Sequence, residues 1–270
     1  MSPSTVASSI SNELRAARSA SLTMFRERAH LYGMGYGFDM LVRPIFEISI
    51  AALIYTYGDK SRVPYVIVAL AASTFLFSAI YFVGEILDRE RIRGTLPGLF
   101  LTPCLRVSWM AGYASAGIAE TFARIAVILL AGTILFDVRI DPNLPALAVV
   151  LPLFLLALSG IALVLSGIGL YIKRANSLSN LVSPVLILLG GVYFQVTTLP
   201  DPLYYIARAL PLGYGIEAIT AVVIDGASLG DITDSLLPLL GFAVASPIVG
   251  FVAFNYIDVL VRRRGEVDIY

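Results

Sequence analysis

Six long apolar runs, at 38–57, 64–84, 108–136, 145–171, 180–197 and 234–260, constrain this chain more than any other feature. An α-helix needs about 20 predominantly apolar residues to cross about 30 Å of hydrocarbon. Lipid offers no water to the backbone, so a crossing segment must satisfy its own N–H and C=O groups, as a helix does. The separators carry turn and charge signals: GDKSRVP at 58–64, a charged stretch at 84–103, DVRIDPNLP at 137–145 and KRANSLSN at 173–180. Only 14% of the residues are charged, against about a quarter in a soluble domain, and the mean hydropathy is +0.84. The surface of a water-soluble domain is out of reach for such a chain. The reading is an all-α membrane protein with six transmembrane helices. The apolar patch at 216–224 is too short to be a seventh crossing.

Lysine and arginine set the orientation, because they gather on the cytoplasmic side. With a cytoplasmic N-terminus, thirteen fall inside: Arg15, Arg18, Arg26, Arg28, Arg89, Arg91, Arg93, Arg106, Lys173, Arg174, Arg262, Arg263 and Arg264. Only Lys60, Arg62, Arg139 and Arg208 fall outside, while Arg43 and Arg124 lie within runs. Both termini are then cytoplasmic and the chain sits in the cell's inner membrane. A segment at 1–37 precedes the six-helix domain at 38–260, and a short tail at 261–270 follows it. Within the first segment, Ile10, Leu14, Ala17, Met24 and Leu31 share a face of 10–31. That spacing predicts a basic interfacial helix on anionic lipid, the alternative being a solvated helix.

Residue types exclude much chemistry. One Cys (Cys104) and one His (His30) cannot build a zinc site or an intrachain disulfide, and His30 stands outside the spans, where a Ser-His hydrolase would not keep it. A phosphate-binding loop needs Gly directly before Lys. The only lysines are Lys60, after Asp59, and Lys173, after Ile172, so ATP chemistry is expected in another polypeptide.

Two segments depart from plain spanning helices. The connection at 84–103 is longer than a turn requires. Its Glu85, Asp88, Arg89, Glu90, Arg91 and Arg93 predict a short mixed-charge cytoplasmic helix ended by Gly94 and Pro97. The stretch 190–216 is rich in glycine, proline and tyrosine, and 198–230 reads as a pair of short helices on the outer side that dip back into the membrane.

These segments carry a resemblance. ERIRGTL at 90–96, followed by LFLTP at 99–103, resembles the cytoplasmic coupling segment of ABC type-2 exporter permeases. Ser183-Pro184, GGVYF at 190–194, Leu199-Pro200, ALPL at 209–212 and YGIE at 214–217 resemble that family's fifth helix and re-entrant outer hairpin. Pro97, where an acidic residue is usual, and Gln195, where proline is frequent, depart from the pattern. The resemblance implies a permease that exports its substrate with two copies of a separate ATPase, which bind ATP and Mg, and with a second permease copy. Glu85, Asp88, Arg89, Glu90, Arg91, Arg93, Gly94 and Thr95 would couple to that ATPase. Membrane lipid is the other partner, and no nucleic acid is expected.

Within the third run, Glu120 and Arg124 stand at i,i+4, where they either pair structurally or line a substrate path. Asp39, Arg43 and Glu47 form a similar ladder near the start of the first. Tyr193, Phe194, Tyr204 and Tyr205 flank the hairpin as gate candidates. Gly160, Ser166, Gly167 and Gly169 suit a close helix contact, within the chain or between copies. The spans and short loops favour a drug, lipid or lipid-linked glycan as cargo. A secondary transporter or channel is the rival, but the matched broken helices of an inverted repeat are not evident.

Overall fold

The computed structural model describes Ser19 and residues 33–92, 106–172 and 175–263. The interfacial helix expected within 10–31, together with Arg93, Gly94, Thr95 and Pro97, lies outside the described residues. What is described is helical: α1 (Gly33–Tyr57), α2 (Val63–Ile92), α3 (Arg106–Phe136), α4 (Leu144–Ile172), α5 (Ala175–Leu189), α6 (Asp201–Arg208), α7 (Pro211–Ile224) and α8 (Thr233–Arg263). Short 3-10 turns stand at Lys60–Arg62 and Val196–Thr198.

Four stretches are long and apolar enough to cross a membrane: Lys60–Tyr81, Gly117–Phe136, Leu144–Gly169 and Thr233–Ile257. Two shorter apolar stretches, Pro44–Tyr57 and Ser177–Leu189, lie in α1 and α5. The pair α6–α7 meets the length and composition test only as a unit bent by 82°. Prolines 44, 152, 184, 238 and 247 sit inside helices, which membrane helices tolerate when neighbours satisfy the freed carbonyls.

Two expected boundaries need correction. The run at 180–197 is not one helix: α5 starts at Ala175 and stops at Leu189. Gly191 turns the chain at φ +75°, and the apolar residues beyond it form an irregular turn. The charged stretch after Gly84 is likewise not a separate short helix. Helix α2 runs unbroken through Gly84 to Ile92, 30 residues or about 45 Å, so the apolar run and Glu85, Asp88, Arg89, Glu90 and Arg91 share one helix.

Helix α2 is the centre of the bundle. Val66 to Leu76 are buried without a break, and α2 packs against α3, α4, α5 and α7. An aromatic series crosses it: Phe122 of α3 meets Phe75 edge-on at 5.6 Å, and Phe75 meets Phe154 of α4 at 6.5 Å. Phe154 closes on α7, where a Cβ added to Gly215 would lie 2.0 Å from its ring. Because lipid tails are as apolar as these side chains, fit rather than the hydrophobic effect holds the helices together.

Among the described residues the most extensive helix pair is α4 with α8. A Cβ on Gly160 would stand 2.1 Å from the Ser246 carbonyl oxygen, and one on Gly250 would stand 2.6 Å from that of Gly160. Ser246 Oγ donates to the Ala157 carbonyl across the same contact, at 2.6 Å. Gly167 faces Ile257 and Phe254. Gly160 and Gly167 therefore serve packing within the chain, while Ser166 is buried and donates to the Ala162 carbonyl at 2.7 Å.

Several termini gather at one end of the bundle. Tyr55 of α1 touches Phe136 of α3, their ring centroids 5.4 Å apart. Tyr65 of α2 reaches the turn after α5. Asp141 and Asn143, before α4, donate from their backbone to the Val223 and Val222 carbonyls at the end of α7, both at 3.1 Å. Asn143 also caps α4 by accepting from the Ala146 N–H at 3.2 Å. The successive long helices thus alternate in direction.

Candidate functional site

Three groups of polar residues are built into this frame. The first is the charged end of α2. Its last two turns carry Glu85, Asp88, Arg89, Glu90 and Arg91, with Glu85 and Arg89 one turn apart. They lie at the end of the bundle opposite the gathered termini, because α2 begins among those termini and runs unbroken for 30 residues.

The second group lies within the bundle. Arg124 Nη2 and Glu120 Oε1 are 3.4 Å apart, and both residues are buried. Thr121, between them, donates to the Gly117 carbonyl at 2.8 Å and shares a hydrogen bond with Ser78 of α2. Ser73 and Thr74 of α2 are buried too, and their hydroxyls donate to the Leu70 carbonyl at 2.7 and 3.2 Å. Glu47 of α1 is buried as well.

The third group joins the bent pair to its neighbours. Arg208, at the end of α6, places Nη1 2.8 Å from Glu217 Oε2 of α7. Ser235 of α8 donates to the same carboxylate oxygen at 3.2 Å. The guanidinium lies over the rings of Tyr214 and Tyr204, at 4.9 and 5.5 Å from their centroids. Tyr214 packs on Phe242 of α8. Both charged side chains keep about a fifth of their surface exposed.

The four aromatic gate candidates do not form one unit. Tyr204 and Tyr205 meet edge-on at 5.7 Å, and Tyr205 is turned outward, 72% exposed. Tyr193 packs half-buried against the core, and Phe194 is half-buried in the turn after α5. Sequence reasoning missed the Arg208–Glu217–Ser235 group. Its signal was present: Arg208 and Glu217 are the only charges between Asp201 and Asp225, one on each side of a Leu-Pro break.

Two carboxylates in the connections between helices are held below the ordinary carboxylate range by their own turns. Asp59 accepts from Ser61 Oγ and N–H, and Asp231 accepts from Ser228 Oγ and N–H. Among the described residues, no group of three His, Cys, Asp or Glu side chains is placed to hold a metal ion.

Long apolar helices with a broken, bent pair at one end define a multi-pass membrane protein. A family model described as ABC-2 type transporter matches residues 21–224. The chain belongs to that family and is the membrane permease of an ABC transporter, a transport subunit rather than a catalytic one. The match takes in α1 to α7, including the charged end of α2 and the bent pair. No curated protein matches the chain.

Proposed function

We propose that this permease is the membrane half of an exporter driven by a separate ATPase that docks on the charged end of α2 and the residues that follow it, at 85–95. The observation that carries the reading is the continuity of α2. One stiff helix bears the charged end and forms the centre of the bundle, so a push at 85–92 reaches the core without crossing a hinge. A short basic and acidic surface suits docking against a protein cleft.

The six-span reading takes α1 to α5 and α8 as crossings and α6–α7 as a re-entrant hairpin at the outer face. It is supported by the alternating direction of the long helices. Basic residues Arg89, Arg91, Arg106, Arg262 and Arg263 lie at or near the helix ends opposite the hairpin, which favours a cytoplasmic N-terminus and an inner-membrane location. The cargo is hydrophobic or amphipathic, such as a drug, lipid or lipid-linked glycan, and two permease copies with two ATPases, which bind ATP and Mg, enclose its path. On this reading Tyr193, Phe194, Tyr204 and Tyr205 are gate candidates beside the hairpin, and Glu120 and Arg124 either pair structurally or line the path.

The test is co-purification. An ATP-binding-cassette ATPase should accompany the permease from mild detergent, and the Glu90→Arg, Arg91→Glu double variant should lose it while still inserting. Retention of the ATPase by that variant, or no ATPase with the unaltered chain, defeats the proposal.

A further inference from the structure

Helix α2 is tied to the fifth helix and its turn at two depths. Near its start the Tyr65 hydroxyl donates to the Gly191 carbonyl at 2.8 Å. Sixteen residues on, about 24 Å along the axis, the Tyr81 hydroxyl donates to Asn180 Oδ1 in α5. Between them Ser78 is bonded to Thr121 of α3.

The Gly190–Gly191 turn is wedged between α2 and α7. A Cβ on Gly190 would stand 2.2 Å from Leu212 Cδ2, and one on Gly191 would stand 2.7 Å from Val196 Cγ2. Val196 in turn lies 3.1 Å from where a Cβ of Gly213 would be. Leu212 and Gly213 belong to the first turn of α7, and Glu217 of the same helix holds Arg208 and Ser235. An unbroken series of contacts therefore runs from α2 through the glycine turn into the bent pair.

We infer that Tyr65 is a positioning residue for transport: its hydrogen bond to Gly191 makes the α6–α7 hairpin follow movements of α2. This rests on the reading that an ATPase acts on the other end of α2. A helix resists compression along its axis, so a displacement at 85–92 arrives at Tyr65 little diminished. There the phenol oxygen is the polar link to the turn, and the packed glycines leave the turn no slack before α7. Without the hydroxyl, the ring still fills its place but no longer pulls the carbonyl with it.

The experiment uses the permease co-purified with its ATPase in lipid nanodiscs, in a Cys104→Ser background. One reporter cysteine is placed at the exposed start of α6 (Asp201→Cys) and another, separately, at the exposed start of α5 (Ser177→Cys). Maleimide labelling rates are compared with and without Mg, ATP and vanadate. With Tyr65 intact, both rates should change. With Tyr65→Phe, the change at position 177 should persist while that at 201 falls about threefold or more. An undiminished change at 201, or equal loss at both positions, overturns the role of Tyr65. No change at either position in the parent overturns the ATP-driven reading itself, and the role of Tyr65 with it.

Discussion

Arg208 and Glu217 meet at 2.8 Å across an 82° bend, so one ion pair closes the elbow between two helices joined by only two residues. The geometry is stiffened on both sides. Tyr204 and Tyr214 lie against the guanidinium, and Ser235 brings the first turn of α8 to the carboxylate. A helix break at a proline ordinarily leaves its two halves free to swing, and here the pair removes that freedom.

Removing one partner should therefore cost more than removing both. A single Glu217→Gln leaves a half-buried guanidinium facing an amide, and hydrogen bonds to charged groups contribute about 1.5–3 kcal/mol. The Arg208→Gln, Glu217→Gln double variant should recover part of that loss. A double-mutant cycle on the unfolding free energy in mixed detergent should show a coupling of about 1 kcal/mol or more, and additive effects would remove the elbow pair from the account.

The α4–α8 crossing supplies a sharper contrast. Gly160→Ala places a methyl group 2.1 Å from the Ser246 carbonyl oxygen, and backbone is the atom that must yield. A loss of about 1–3 kcal/mol is expected, with a fall in the amount of folded protein. Gly241→Ala, in the same α8, meets nothing within 4 Å and should be neutral or stabilising by up to about 1 kcal/mol. Equal melting temperatures for the two variants would show that the helices do not cross at Gly160.

Much of this architecture was legible in the residues, because an apolar run of sufficient length has few alternatives to a helix. The four long spans, the short helices on either side of Leu210 and the small-residue character of Gly160 and Gly167 all followed from local pattern. The misses share a cause. Composition changes at Gly84 and suggests a boundary there, yet a helix can leave the hydrocarbon without ending, and α2 continues to Ile92. Conversely, the residues after Gly191 are apolar enough to suggest a continued span, although the backbone turns at Gly191. Contacts that join distant elements, such as Tyr65 to Gly191, leave no periodic trace. For Arg208 and Glu217 the residues were visible, but the bend that joins them was not.

The turn at 228–231 should respond to pH. Asp231 accepts from the Ser228 N–H at 2.9 Å and from its hydroxyl at 2.7 Å, and these bonds hold the carboxyl below its ordinary value. A lowered folded-state pKa means the carboxylate's contribution is complete above the unfolded value and disappears as pH falls through the folded one. At neutral pH, Asp231→Ala should speed hydrogen exchange at the Ser228 amide, read after correction for intrinsic rates. At about pH 4, the ordinary carboxyl value, the parent should still be the better protected. The two should converge only in stronger acid, and convergence at or above pH 4 would contradict the lowered pKa.

The deeper pair at Glu120 and Arg124 can be separated from the transport path by the same logic. Both residues are buried, and the intervening Thr121 is bonded to Ser78 of α2, which turns this part of α3 inward. Breaking a buried ion pair by removing one partner costs about 3–5 kcal/mol, whereas replacing both charges is often near neutral. Glu120→Gln alone should therefore lower folded yield and melting temperature sharply, and adding Arg124→Gln should restore much of both. If the pair serves only the stability of this part of α3, the restored double variant should also keep the nucleotide-driven labelling change at position 201 and the ATPase activity of the complex. A double variant that folds like the parent but loses that response would place Glu120 and Arg124 in the moving path instead.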